Sequence, residues 1–188
     1  MDESRSLAEL RAHFREGSTN AMPLAGMIAW GALGVLSFWL DAKTTANFAL
    51  YIMVAILPLA FVIDRARGRN VFSGGDDPLT KLFLICIWMI GLSVPLVIIG
   101  ANGSGNYDLI VLGMAILAGI IWIPYGWAAD DPVGLRHAVG RGFGCYAAFA
   151  LVPEPWRAAA ICAVVVLAYI YSLFFMAKTG PRASAKGV

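Results

Sequence analysis

The chain has 188 residues, of which 60% are hydrophobic and 14% are charged, and its mean hydropathy is +0.74. Soluble domains are about half apolar and about a quarter charged, so these values exclude an ordinary soluble enzyme and a disordered chain. Three cysteines are too few for a disulfide scaffold, and a formal net charge of +2 gives no indication of nucleic-acid binding. The composition therefore predicts a protein embedded in a membrane.

Residues 1–20 are charged and of mixed sign, without an apolar run or a small-residue cleavage pattern, so we expect no cleavable signal peptide. Ser6 and Glu9 have the spacing of a capping box at the start of a short helix. Three apolar residues then share one helical face: Leu7, Leu10 and Phe14. The pattern predicts a cytoplasmic amphipathic segment on the inner membrane surface or against a partner, with a solvated helical stub as the alternative.

Six segments are apolar enough, or nearly so, to cross the bilayer, which takes roughly 20 residues. The spans are predicted at about 23–40, 46–63, 82–100, 109–127, 133–152 and 158–176. We therefore predict an all-α, polytopic membrane protein in which six transmembrane helices form three hairpins. This transmembrane domain covers 21–177, and a cytoplasmic tail follows at 178–188.

Lysine and arginine are unevenly distributed between the two sides of these spans. With both termini inside, twelve belong to inner segments, and two, Lys43 and Arg157, lie in outer loops. This positive-inside bias predicts that both termini are cytoplasmic. Three arginines that follow the second span are expected to attract anionic lipid: Arg65, Arg67 and Arg69.

Two predicted inner turns share a short acidic motif that ends in proline. It occurs as Asp76-Asp77-Pro78 and as Asp130-Asp131-Pro132. Aspartate caps the free amides at the start of a helix, and proline fits the first helical turn, so each motif predicts a helix N terminus. Together with Pro23, the two prolines are spaced by 55 and 54 residues, which allows a threefold hairpin repeat. The alternative is that helix starts simply look alike.

The fifth span differs from the others, because the remaining five contain no Asp, Glu, Lys, Arg or His. Their lack of ionisable groups counts against proton-coupled transport and intramembrane acid–base catalysis. Either the fifth helix stops half-way through the bilayer, or Arg136, His137 and Arg141 lie along its inner half. In the second case we expect Arg141 to snorkel inward or to find a partner.

Small residues predict where helices pack closely. The proposed packing positions are the GxxxG pair Gly140 and Gly144, the pair Ala115 and Gly119, and the pair Ala25 and Ala29. Trp30 and Trp88 fall near the middle of their spans, and their indole N–H groups are expected to face the bundle interior or a hydrophobic ligand.

Five residues form a candidate ligand site at the inner leaflet: Arg141, His137, Tyr125, Trp127 and Asp131. They are expected to converge because Pro124 kinks or ends the fourth span there. An arginine and a histidine beside amphipathic aromatic residues could hold an anionic head group. Alternatively, Arg141 pairs with Asp131 or Asp64 in a purely structural contact, and the aromatic residues form an interfacial belt.

Patterns of catalysis and metal binding are absent from the sequence. There is no HExxH, no GxSxG with a partner histidine and no set of histidine boxes. The three cysteines, Cys86, Cys145 and Cys162, lie inside predicted spans and form no CxxC pair. We therefore predict no catalytic residues, no metal site and no cofactor.

Several short motifs resemble those of small six-helix bacterial membrane families known only as domains of unknown function. They are the charged amino-terminal helix, Gly26-Met27-Ile28-Ala29-Trp30-Gly31, Leu57-Pro58-Leu59, a glycine- and arginine-rich inner loop and Tyr125-Gly126. The resemblance covers most of the chain and implies the cytoplasmic (inner) membrane of a bacterium. It supplies no catalytic residues.

Three functions remain open at this point. The leading hypothesis is a non-enzymatic protein that is an accessory or structural subunit of a membrane assembly, or that binds a hydrophobic or lipid-like molecule. Its partners would be membrane lipids and a membrane protein or a second copy of the chain. The alternatives are a facilitative small-solute transporter or channel, and a lipid-headgroup enzyme at the cytoplasmic face that uses Asp130, Asp131 and His137.

Overall fold

The computed structural model of the protein describes residues 5–68 and 77–176. This part of the chain contains eight helices and no β-strand. The helices are α1 (Leu7–Gly17), α2 (Ala21–Leu36), α3 (Ala42–Ala66), α4 (Pro78–Ser104), α5 (Asp108–Ile120), α6 (Trp122–Ala129), α7 (Pro132–Leu151) and α8 (Arg157–Phe175). The tail at 178–188, Arg69 and Asp76 lie outside the described residues.

Four stretches of these described helices are long and apolar enough to cross a membrane: α3, α4, α8, and α5 with α6 taken together as Asp108–Ala129. The pair α1 and α2, bent by 51°, passes the same test as one broken span. The prediction of an all-helical chain is therefore confirmed for the described residues, and four or five of its helical stretches are long and apolar enough to span a membrane. The six-span hairpin topology and the side on which the termini lie stay predictions.

Helix starts follow the capping signals of the sequence. Ser6 and Glu9 form the predicted capping box of α1, in which the Glu9 amide donates to Ser6 Oγ at 3.3 Å. The Thr80 amide donates to Asp77 at the start of α4, at 3.0 Å. Asp131 accepts from the Val133 amide at the start of α7, at 2.9 Å. Because these caps lie outside the most apolar windows, α4 begins four residues before the predicted 82–100 span.

The predicted break in the fourth span is present, since α5 ends at Ile120 and α6 begins at Trp122. Pro124 explains this position. Its ring occupies the space near the carbonyl four residues earlier, and its nitrogen carries no hydrogen to donate to that carbonyl.

The helices pack around α5, which contacts α3, α4, α6, α7 and α8, while α2 and α7 both pack along α8. Trp30, Leu33, Met114 and Ile161 are among the residues buried in this core. α4 lies at the edge of the bundle, where only Leu79 and Ala101 are buried along its length. Its Trp88 is 75% exposed, so the indole faces outward rather than into the bundle.

α1 packs against α4 and α6 of its own chain. Phe14 is buried, and its ring lies 6.0 Å from the rings of both Phe83 and Tyr125. The apolar face predicted for α1 is partly covered, since Phe14 packs against α4 and α6 whereas Leu7 is 47% exposed. A solvated stub does not describe this contact, and a location on the inner membrane surface or against a partner stays a prediction.

Candidate functional site

Arg141 lies at the middle of α7 and is buried among four helices. α7 has 20 residues, and at about 1.5 Å per residue it is about 30 Å long. Arg141 is 1% exposed, and its Cζ lies 5.6 Å from the ring of Trp30 on α2 and 5.1 Å from the ring of Tyr169 on α8. Such positions over aromatic faces attract a cation.

The guanidinium of Arg141 has no hydrogen-bond partner among the described residues. Its Nε and both terminal nitrogens are buried and unpaired. A buried charge is normally paired or bound to a ligand, because its removal from water otherwise costs on the order of several kcal/mol. The guanidinium of Arg141 therefore has aromatic rings beside it, but its N–H groups have no hydrogen-bond acceptor among the described residues.

α5 makes room for the Arg141 side chain with a small residue. A Cβ at Gly119 would lie 3.1 Å from Arg141 Cδ and 3.4 Å from Arg141 Nε. Ala115, one turn away on the same helix, is fully buried. This predicted small-residue pair therefore faces α7, where Gly119 accommodates a side chain as well as a helix.

His137 lies one turn before Arg141 and is held by contacts to α6 and α8. Its Nδ1 is 2.6 Å from Ser172 Oγ, and its ring stacks on Trp122 with centroids 4.1 Å apart and planes at 14°. The Tyr169 ring lies 5.2 Å away. His137 is 1% exposed, and Nε2 has no partner in the described part of the chain.

A groove with a volume of about 310 Å³ runs between α7 and α8 over these residues. Its walls include Arg136, His137, Gly140, Arg141, Leu167 and Tyr171. Nothing lies within 4 Å of the position that a Cβ on Gly140 would take. The groove is therefore open beside Arg141, and most of its remaining lining is apolar.

The predicted pairing of Arg141 with Asp131 or Asp64 is wrong, because neither carboxylate bonds to the guanidinium. Asp131 caps α7. Asp64 is 1% exposed and accepts a hydrogen bond of 2.6 Å from the Thr19 hydroxyl. Both acids act at helix ends, whereas Arg141 lies at the middle of its helix.

Two of the five candidate ligand residues, Tyr125 and Trp127, contact α1 instead of Arg141. Trp127 lies under the guanidinium of Arg11, 4.9 Å from Cζ to the ring centroid, and Arg11 pairs with Asp130 at 3.1 Å. Tyr125 packs against Phe14. The structure therefore brings Arg141 and His137 together and places the other three at the end of the bundle against which α1 packs.

Trp122 contacts both Tyr125 and His137, because its ring centroid lies 5.4 Å from that of Tyr125 and its ring stacks on His137. Sequence reasoning did not identify Tyr169 and Ser172 as contacts of the site. Both lie in the part of α8 after Arg157, which carries no charged residue and where nothing in the sequence distinguishes them from their neighbours.

The remaining small residues differ in their contacts. Gly144 packs against α8, since a Cβ there would lie 2.7 Å from Val164 Cγ1, whereas its predicted partner Gly140 borders the groove. Ala25 is fully buried and Ala29 is half-buried. Sequence analysis missed a closer approach, in which Gly126 on α6 faces Gly134 on α7. Their positions on either side of the Asp130-Asp131-Pro132 turn are the signal that could have indicated it.

Other predicted positions lie away from this site. Arg65 and Arg67 are exposed at the carboxyl end of α3. Cys145 and Cys162 are buried within the bundle and are free thiols. Within the residues described, no three His, Cys, Asp or Glu side chains group together in a way that could hold a metal ion.

Comparison with known proteins gives one match. Residues 7–178 match a family described as "Family of unknown function (DUF7010)". No curated protein and no solved structure matches the chain. The match covers nearly the whole sequence and confirms the predicted resemblance to an uncharacterised family. The chain belongs to the family of unknown function DUF7010.

Proposed function

We propose that the chain is a non-enzymatic integral membrane protein that binds a lipid-like molecule with an acidic head group in the groove between α7 and α8. The unpaired, buried guanidinium of Arg141 carries this proposal. A cation in the middle of a spanning helix is unfavourable without a counter-charge, and such residues generally serve a function. The apolar lining of the adjoining groove suits a hydrocarbon chain.

In this proposal six segments cross the cytoplasmic membrane of a bacterium: α2, α3, α4, α5 with α6, α7 and α8. Both termini are cytoplasmic. The length of α7, about 30 Å at 1.5 Å per residue, matches the hydrocarbon thickness despite its charged residues. The excess of lysine and arginine in the inner segments supports this orientation.

Native mass spectrometry of the protein, extracted gently from its own membranes, tests the binding function. We expect the wild-type chain to retain an acidic amphiphile and the Arg141→Met variant to lose it. Met keeps much of the side-chain length and removes the charge. Arg65→Met is the matched control, because it removes an exposed arginine of the same membrane protein.

Two results would contradict the proposal. One is a wild-type chain that carries no amphiphile under these conditions. The other is an Arg141→Met variant that retains the same molecule in the same amount. A stoichiometric protein partner without an amphiphile would instead identify the chain as an accessory subunit.

A further inference from the structure

Unpaired polar atoms are concentrated around Tyr169. Among the described residues, Trp30 Nε1, His137 Nε2 and all three guanidinium nitrogens of Arg141 are buried without a hydrogen-bond partner. Arg141 Cζ and the His137 ring lie 5.1 Å and 5.2 Å from the Tyr169 ring, and Trp30 lies against the same guanidinium. Buried polar groups are usually satisfied, so such a cluster indicates a ligand that accepts hydrogen bonds.

The charge of the cluster limits the ligand. Arg141 supplies the single buried positive charge, because Arg136 on the groove wall is exposed, and the acids Asp64 and Asp131 are hydrogen-bonded at helix ends. One negative charge therefore neutralises the site, whereas a phosphate monoester with two charges would leave a net charge inside the membrane.

The shape of the guanidinium and its depth restrict the ligand further. The planar fork of arginine matches the two oxygens of a carboxylate in a bidentate pair. The head group of a bilayer phospholipid lies at the interface, whereas Arg141 is at the middle of α7. A carboxylate on a single chain can reach this depth more easily than a glycerophosphate that carries two chains.

Resting on the proposed function, we propose that the ligand is a single-chain monocarboxylate, such as a fatty acid. Its carboxylate accepts hydrogen bonds from the Arg141 fork and from Trp30 Nε1–H. Its chain lies in the groove along Leu167 and Tyr171, where Gly140 leaves the entry beside Arg141 open. His137 Nε2 is a third donor to the carboxylate when the Ser172 hydroxyl donates to Nδ1.

Binding to the purified full-length chain in a neutral detergent tests this assignment. The probes are oleate, its neutral methyl ester, oleyl phosphate and phosphatidylglycerol, each measured by isothermal titration calorimetry. We expect oleate to bind at least about tenfold more tightly than each of the other three, because only it has both the single charge and the single chain.

Variants then identify the donors. Arg141→Met and Gly140→Leu should each weaken oleate binding by at least about tenfold, the first by removing the charge and the second by filling the groove. Trp30→Phe keeps the aromatic face, loses the N–H group, and should weaken oleate binding by about tenfold. Arg65→Met should leave it unchanged. Retention of the wild-type elution volume shows that each variant is folded.

The outcomes separate the two proposals. Tighter binding of oleyl phosphate or phosphatidylglycerol than of oleate, lost in Arg141→Met, would overturn the carboxylate assignment and leave the proposed function standing. Equal binding of oleate by wild type and Trp30→Phe would overturn the assignment of Trp30 as a donor. If the wild-type chain bound none of the acidic probes, both proposals would be wrong.

Discussion

The contact between Gly126 and Gly134 allows a sharp prediction about the architecture of the site. A Cβ at Gly134 would lie 2.5 Å from Gly126 Cα and 2.7 Å from Gly126 N, and it would also collide with the Trp122 carbonyl oxygen. All three atoms belong to backbone and cannot move by rotation of a side chain. Gly134→Ala must therefore force α6 and α7 apart, and Trp122 off the His137 ring.

The size of the effect follows from two opposing terms. Overpacking costs roughly 1–3 kcal/mol, and occasionally more when rigid groups collide. Replacement of a helical glycine by alanine returns at most about 1 kcal/mol. An overpacking cost of about 3 kcal/mol, less about 1 kcal/mol gained from the helix propensity of alanine, leaves about 2 kcal/mol. We therefore expect Gly134→Ala to lower the free energy of unfolding by about 2 kcal/mol.

Gly142 is the matched control on the same helix, because nothing lies within 4 Å of the position its Cβ would take. Gly142→Ala should be neutral or stabilising by up to about 1 kcal/mol. For a chain of this length, 1 kcal/mol shifts the Tm by about 2–4 °C, so the two variants should differ by roughly 4–12 °C in a thermal unfolding assay in mild detergent. Equal Tm values for Gly134→Ala and Gly142→Ala would refute the close approach of α6 and α7.

Two further predictions concern the connections that precede α3 and α8. Arg157 donates to Asp108, whose side chain is 6% exposed, at 3.2 Å, and to the largely exposed Glu154 at 3.0 Å. Arg157→Gln should therefore destabilise the protein by about 2 kcal/mol in thermal unfolding, because it leaves the buried Asp108 unpaired. Glu154→Gln should change the stability by less than about 0.5 kcal/mol, because Glu154 is exposed. Equal effects of the two substitutions would contradict this difference in burial. Hydrogen bonds from the Thr44 hydroxyl and amide lower the pKa of Asp41 from 3.8. The cap therefore stabilises the folded chain above pH 3.8, and this stabilisation is lost as the pH falls through the lowered pKa of Asp41. The NMR resonance of the Thr44 amide should titrate with a midpoint below 3.8. A midpoint above 3.8 would argue against the cap.

Much of the fold was predictable because the bilayer imposes a simple length and composition rule on each helix. The span predicted at 46–63 lies within α3, and the break between α5 and α6 lies where the proline at 124 requires it. Local rules also predicted the caps at Ser6, Asp77 and Asp131. These features depend on residues a few positions apart, and a sequence contains that information directly.

The candidate site was only partly predictable, because it depends on which helices are neighbours. The sequence indicated that Arg141 needed a partner, and it offered acids at helix ends as the nearest choices. The structure surrounds Arg141 with Trp30 of α2, which is far away in the chain, and with Tyr169 of the following helix α8 instead. Tyr125 and Trp127 were predicted beside Arg141, but they contact α1 instead.

The apolar face of α1 also shows how a short pattern can fit two arrangements. Leu10 and Phe14 fit a helix that lies on a membrane, and the same spacing fits a helix that packs against α4 and α6. Only the aromatic cluster of Phe14, Phe83 and Tyr125 distinguishes the two arrangements. Its members are separated by more than 40 residues, so the cluster cannot be read from a local pattern.

The central claim is that Arg141 holds the acidic head of a bound amphiphile. Solid-state NMR can test it directly, with carboxyl-¹³C oleate bound to the full chain and ¹⁵N in the arginine guanidinium groups. The account predicts strong ¹³C–¹⁵N dephasing from N–O hydrogen bonds of about 2.8 Å in the wild type, loss of that dephasing in Arg141→Met, and its retention in Arg65→Met. Dephasing that persists in Arg141→Met would place the carboxylate at another arginine and contradict the account.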